Sequence, residues 1–138
     1  MPRQAELSSR PRVRVVAGIL LDDNGFVLIA DRRQSRSLQD YWEFPGGKIA
    51  AGESAADALR RELLEELGID ITPGRHFRRI EHDYADIDVA VDFYLVYEWH
   101  GTPAGCEGQE IRWVDPRRLS QQKLLPADAP VIDALRAL

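Results

Sequence analysis

Residues 47–69 read GKIAAGESAADALRRELLEELGI, and the spacing of acidic residues in this run decides the fold reading. Glu62, Glu65 and Glu66 stand at i, i+3 and i+4, with Glu53 just ahead of them. At about 3.6 residues per turn, the three helical carboxylates share roughly 100° of arc on one face. Like charges so placed repel unless a cation sits among them. Hard divalent cations take oxygen ligands and commonly share them with a substrate phosphate. Local signals support a loop followed by a helix. Ser54 is a good N-cap with Asp57 three residues on, a variant of the capping box. Residues 55–67 contain no Gly or Pro and are rich in Ala, Leu, Glu and Arg. Gly68 suits a left-handed C-terminal cap, with Ile69 folding back behind it. Ala56, Leu59, Leu63 and Leu67 form the apolar stripe that docks the helix beside its glutamate face.

Outward from this run, Val13–Leu21 and Phe26–Ala30 are apolar and β-branched. Asn24-Gly25 lies between them, a strong hairpin signal. Tyr41–Phe44 reads as a short strand stopped by Pro45-Gly46-Gly47. Further strands are expected at Phe77–Tyr84, Val89–Trp99 and Glu110–Val114. Asp115-Pro116 then opens a helix, and Pro130–Leu138 is a final one. The class is α/β (α+β). The chain divides into a flexible arm, residues 1–12 (MPRQAELSSRPR), and a single domain, residues 13–138.

At 138 residues one core is expected, and 44% apolar with 30% charged residues is ordinary for a soluble globular domain. A net charge of −5 argues against a nucleic-acid or membrane surface, since both need a basic face. No run approaches the ~18 apolar residues of a membrane span. No apolar signal segment opens the sequence. One cysteine, Cys106, excludes an internal disulfide. These features together read as cytoplasmic. His76, His82 and His100 show no metal-ligand spacing, and no nucleophile–base arrangement stands out.

The spacing from Gly47 through Glu53, Arg61-Glu62-Leu63 and Glu65-Glu66 to Gly68-Ile69 fills nine of nine defined positions in twenty-three residues. It resembles the signature of the Nudix hydrolases. The chain is most similar to their MutT-type nucleoside triphosphate diphosphatases, the 8-oxo-dGTP diphosphatase group. Trp42–Ile49, Glu107-Gly108-Gln109 and Pro126–Ile132 carry that likeness. The resemblance implies a three-layer α/β/α sandwich around a mixed β-sheet. It also implies hydrolysis of a triphosphate to the monophosphate and pyrophosphate, water attacking the β-phosphorus. The cofactor implied is Mg²⁺, with Mn²⁺ as substitute. By matching positions, Gly46 (through its carbonyl), Glu53, Glu62, Glu65, Glu66 and Glu107 are the metal set. Glu62, Glu65, Glu107 and Arg61 are the catalytic candidates. Glu62 and Glu107 compete as general base, and Arg61 can orient a carboxylate. Arg32 and Lys48 are placed on the phosphates, with Arg33 and Arg36 near competitors for the first role.

Phe44 and Tyr84 are placed against the nucleobase and Asp128 at the base-reading position. There the 8-oxo-dGTP enzymes carry Asn, whereas relatives favouring cytidine nucleotides resemble this chain in having Asp. An amide can donate to O6 of 8-oxoguanine and accept from its N7–H; an ionised carboxylate only accepts. Three resolutions stay open: a protonated Asp128, acceptance from guanine N1–H and N2–H₂, or a cytosine-type base whose N4–H₂ suits a carboxylate. Asp128 can also simply cap the final helix. The leading expectation is nucleotide-pool sanitising of 8-oxo-dGTP and 8-oxo-GTP, a DNA-repair role. The alternative is a CTP, dCTP or modified-pyrimidine triphosphate pyrophosphohydrolase. A third reading, a catalytically silent nucleotide-binding module, is disfavoured by the intact glutamate set. The expected partner is a nucleoside triphosphate, with no nucleic acid and no membrane, on a monomer or weak dimer.

Overall fold

The structure, a computed structural model, describes residues 11–138. Residues 1–10 of the expected arm lie outside the described residues. Arg12 is tied down, donating to the Val89 carbonyl at 3.1 Å and pairing with Asp83 at 2.8 Å.

β1 (Val13–Leu20) is the spine of the fold. It runs parallel to β7 (Asp88–Val96), from Val13 opposite Val89 to Leu20 opposite Val96. Its other edge pairs antiparallel with β4 (Gly46–Lys48), and β6 (His76–Asp83) closes the order β4-β1-β7-β6. A second sheet has the order β3-β2-β9, from Trp42–Glu43, Val27–Asp31 and Ile111–Val114. The short β5 (Asp70–Thr72) and β8 (Glu98–His100) form a third.

Alternate residues of a strand face opposite ways, so the continuous apolar run of β1 buries both its faces. Val16 and Leu20 pack with Ala58, Leu59, Leu63 and Leu67 of α1 (Ala55–Leu67). Ala17 and Ile19 join Phe44, Phe93, Leu119 and the residues of α2 (Val131–Arg136) on the other side. A mixed sheet between two helical layers results, as the resemblance implied. Each of the three buried leucines of α1 contributes roughly 1.5–3 kcal/mol by leaving water.

α1 has the expected ends. Ser54 Oγ accepts from the Asp57 N–H at 3.1 Å, and Gly68, at φ 71°, donates its N–H to the Leu64 carbonyl at 3.1 Å. The stripe differs at one position: Ala58, not Ala56, is fully buried.

Other expectations need correction. The Asn-Gly turn forms, with Asp22 Oδ1 accepting from the Asn24 and Phe26 N–H groups. The flanking strands nevertheless meet only at a Leu21–Val27 bridge. β4 and β7 already occupy both edges of β1, so β2 is diverted into the second sheet. The strand expected over Val89–Trp99 breaks at the exposed Tyr97, because β8 leaves to pair with β5. β4 and β5 were not expected at all. The helix after Asp115 is a 3₁₀ turn, Pro116–Gln121, with the Asp115 side chain accepting from the Arg117 N–H.

Candidate active site

A cleft of about 890 Å³ opens where β1, β2, β4 and the N-terminal end of the last helical segment converge. It has a carboxylate end and a closed end. Among the predicted residues, Gly46, Lys48, Glu62, Glu66, Glu107, Arg32, Phe44, Tyr84 and Asp128 all line it. Glu53, Arg61 and Glu65 do not.

The carboxylate end is organised by Arg61. Its Nε and Nη2 grip both oxygens of Glu53 at 2.8 and 2.9 Å, and Nη1 reaches Glu62 Oε1 at 2.9 Å and Glu65 Oε1 at 3.7 Å. Glu53 also accepts from the Ala50 N–H, and the arginine and this amide hold its carboxyl down at about 2. Glu53 therefore pins the loop to the helix, with both of its oxygens engaged by Arg61 and the Ala50 amide. Glu65 points outward with its side chain 55% exposed. Glu66 is different. Burial, then a hydrogen bond that its protonated carboxyl donates to Glu62 and the charges of Glu62, Glu43 and Glu107, drives its pKa far above the carboxylate range.

Gly47 makes room for this cluster. A Cβ there would stand 2.4 Å from Glu62 Cδ, so only glycine lets that carboxylate lie against β4. Glu107 is brought in by the loop after β8. The Ala104 and Cys106 N–H groups cap the Leu67 and Glu66 carbonyls at the C-terminus of α1, at 3.1 and 3.0 Å. Lys48 is exposed and makes no salt bridge among the described residues.

Among the described residues no three acidic, thiol or imidazole groups already converge as a metal cage. The donor chemistry nevertheless fits a hard divalent cation: carboxylate oxygens, one of them costly to ionise, facing a cleft. Glu62, Glu66 and Glu107 are the side chains able to hold it.

The closed end is built on Asp128. Its Oδ2 accepts from the Phe44 N–H at 2.9 Å, and the residue is only 4% exposed. Burial first and the Glu43 charge second push its pKa up to about 8, against the Phe44 amide and Arg32. Asp128 is not the side-chain cap of α2, which has none. Tyr84 is half-buried, its hydroxyl accepting from the Ala127 N–H at 3.1 Å. Phe44 is 2% exposed, packs edge-on against Phe93 and forms part of the cleft floor.

Arg32 belongs to this end too. Its Nη1 pairs with Glu43 at 2.6 Å, Nη2 reaches the Ser37 carbonyl at 3.3 Å, and Nε is buried without a hydrogen-bond partner. Arg32 thus stands at the cleft with its charge already engaged by Glu43. Glu43 was not singled out from the sequence, yet it is a half-buried carboxylate whose charge acts on both Glu66 and Asp128. Burial raises its pKa even though the charge and hydrogen bond of Arg32 oppose the rise. Its place in a two-residue strand between aromatics was the available signal. Arg33 is paired with Asp31 at 2.5 Å and with Glu110 at 2.9 Å.

Residues 11–135 match the family model described as NUDIX domain, so the chain belongs to the Nudix family. Its relatives sharpen the class. It is 38% identical to the 8-oxo-dGTP diphosphatase of Haemophilus influenzae, over 89% of this chain and 90% of that protein. It is 36% identical to the CTP pyrophosphohydrolase of Escherichia coli, over 91% and 93% of the two chains. A solved structure described as MutT from Aliivibrio salmonicida and Vibrio cholerae superposes with a TM-score of 0.77 at 37% identity, covering 92% of this chain and 98% of that one. The chain is a MutT-type Nudix pyrophosphohydrolase, a family that generally uses a divalent metal. Among the described residues no helix is long and apolar enough to cross a membrane.

Proposed function

We propose that this enzyme hydrolyses 8-oxo-dGTP and 8-oxo-GTP to the monophosphate and pyrophosphate with Mg²⁺, acting in the cytoplasm as a monomer or weak dimer. The observation that carries the substrate is the buried Asp128, whose pKa of about 8 leaves it protonated at neutral pH. A neutral carboxyl donates and accepts at once, as the amide of an asparagine does. It can therefore serve O6 and N7–H of 8-oxoguanine, and the difficulty of an acceptor-only aspartate disappears. Tyr84 borders the same space, where base–aromatic contact is worth about 1–3 kcal/mol.

At the other end, Glu62, Glu66, Glu107 and the Gly46 carbonyl would hold the cation. When bound, it supplies charge neutralisation on the phosphates and a water of lowered pKa. The chain's own groups do the rest. Arg61 fixes the loop and the Glu62 carboxylate, Lys48 faces the phosphates as a mobile positive charge, and Glu62 or Glu107 takes the proton of the attacking water. Positioning and charge are what displacement at phosphorus needs most.

Similarity to a CTP pyrophosphohydrolase favours a second reading, in which an ionised Asp128 accepts from cytosine N4–H₂. The deciding measurement is kcat/KM over a panel of ordinary and modified NTPs and dNTPs with Mg²⁺, with products identified. A higher value for CTP or dCTP than for 8-oxo-dGTP overturns the leading substrate. No hydrolysis of any member overturns the reaction as well.

A further inference from the structure

The loop of residues 104–109 carries Glu107, yet its own contacts converge on a different residue, Gln109. The Gln109 side chain accepts the Glu107 backbone N–H on Oε1 at 2.9 Å and donates from Nε2 to the Glu66 backbone carbonyl at 3.0 Å. That carbonyl is one of the four at the end of α1 that have no partner within the helix. The Cys106 N–H shares it at 3.0 Å, and a Gly108 N–H to Gly105 carbonyl bond at 3.1 Å closes the turn. One amide therefore joins the backbones of two residues, Glu66 and Glu107, whose carboxylates face the same cleft. Among the described residues, no other side-chain hydrogen bond in the turn joins the loop tip to the helix. Glu107 itself is exposed and has no salt bridge among the described residues, so its position rests on its backbone.

We infer that Gln109 is a positioning residue, setting the Glu107 carboxylate at a fixed offset from that of Glu66 so that both act on one cation. The inference rests on the reading of Glu107 as a ligand. It requires both functions of the amide: an acceptor toward Glu107 and a donor toward Glu66. Leucine lacks both, and a glutamate at this position keeps only the acceptor. A residue that merely capped α1 would instead register as helix stability, with the chemistry unmoved.

The test uses Gln109→Leu, Gln109→Glu, Glu107→Gln and the Gln109→Leu/Glu107→Gln double variant. Four readouts are needed: kcat, KM for the preferred triphosphate, Mn²⁺ affinity of the nucleotide-free protein by electron paramagnetic resonance, and Tm. Groups that orient metal ligands typically change affinity or activity by about 10–100-fold. Gln109→Leu and Gln109→Glu should each lower kcat and Mn²⁺ affinity by roughly that factor, leaving KM nearly unchanged. As a further readout, amide exchange at Glu107 should quicken in Gln109→Leu, which loses the acceptor of its N–H, and much less in Gln109→Glu, which keeps it. In the Glu107→Gln background the leucine substitution should cost nearly nothing further, since the group it positions is gone.

Full multiplicative loss in the double variant overturns the inference, as does a fall in Tm with kcat and Mn²⁺ affinity intact. If Glu107→Gln is impaired and neither Gln109 variant is, the inference alone fails. If Glu107→Gln matches the native protein, the ligand reading of Glu107 falls and the inference falls with it. Should Gln109→Leu fail to fold, Gln109→Glu decides by the same criteria.

Discussion

The two ends of the cleft treat their carboxylates in opposite ways. At the α1 end, Arg61 sits among Glu53, Glu62 and Glu65 near solvent, and Glu53 is held ionised with a pKa of about 2. At the closed end a second arginine, Arg32, pairs with Glu43, yet the Glu43 pKa still rises because burial outweighs the pairing. Asp128 beside them is raised to about 8. An ion pair thus holds a carboxylate firmly charged where water remains, and has burial working against it where water is excluded. A triphosphate nucleotide needs this gradient, with charge for its phosphates and hydrogen-bonding neutrality for its base.

The sharpest way to break the comparison is at Glu66, which lies on the charged end but is half-buried and has a pKa raised like that of the closed end. Glu66→Gln should lower kcat by roughly 10²–10³-fold or more, the scale of losing one preorganised electrostatic contact. Its Tm should hold or rise, because a crowded carboxyl is replaced by a neutral amide. A variant within tenfold of native activity would sink the ligand role. Glu65→Gln should cost much less, since that side chain points outward. Gly47→Ala comes next. The added methyl collides with Glu62, and displacing a reacting group by about 1 Å can cost about 10²-fold in rate. Native kcat in that variant would show that Glu62 need not lie against β4.

How much of this was legible in the sequence follows the same division. The α1 end is local: Ser54, Arg61, Glu62, Glu66 and Gly68 lie within one loop and helix, and spacing alone predicted the helix over residues 55–67. The closed end is tertiary. Phe44 and Asp128 are joined by a bond across 84 positions, and Glu43 meets Arg32 only because β3 pairs with β2. Pattern could mark Asp128 as awkward but could not say that burial would neutralise it. The hairpin signal misled for a related reason: a turn dipeptide encodes the reversal, not which edge of β1 is free.

Asp128 sharpens the comparison through pH. In the native chain it holds its proton to about pH 8, whereas unfolded it releases it near pH 4. Between these values the native state binds more protons than the unfolded one, so stability must fall as pH rises through that window. The loss is complete above the native pKa and is of order a few kcal/mol. Asp128→Asn cannot ionise and should remove this slope, which urea unfolding between pH 5 and 9 would reveal. The same variant should keep its 8-oxo-dGTP activity at pH 9, where the native enzyme loses it. Unchanged pH profiles for both stability and activity would place an ionised carboxylate there at neutral pH and favour the cytosine-type substrate.

The smallest effect expected is at Lys48, and it separates the two arginines from the lysine. Arg61 and Arg32 are committed to glutamates, so their charge is balanced before any substrate arrives. Lys48 is exposed and unpaired among the described residues, and an exposed charge acts through a screened field. Lys48→Ala should therefore raise KM by a few-fold, about 1 kcal/mol at most, with kcat nearly intact. The penalty should shrink further at 1 M salt, where the Debye length is about 3 Å. Arg32→Ala should do the reverse. It strands a half-buried Glu43, so Tm and base discrimination should suffer, and added salt should not restore them because partly buried pairs are screened far less. A salt-sensitive KM defect in Arg32→Ala would return that arginine to the phosphates and erase the boundary between the charged and neutral ends.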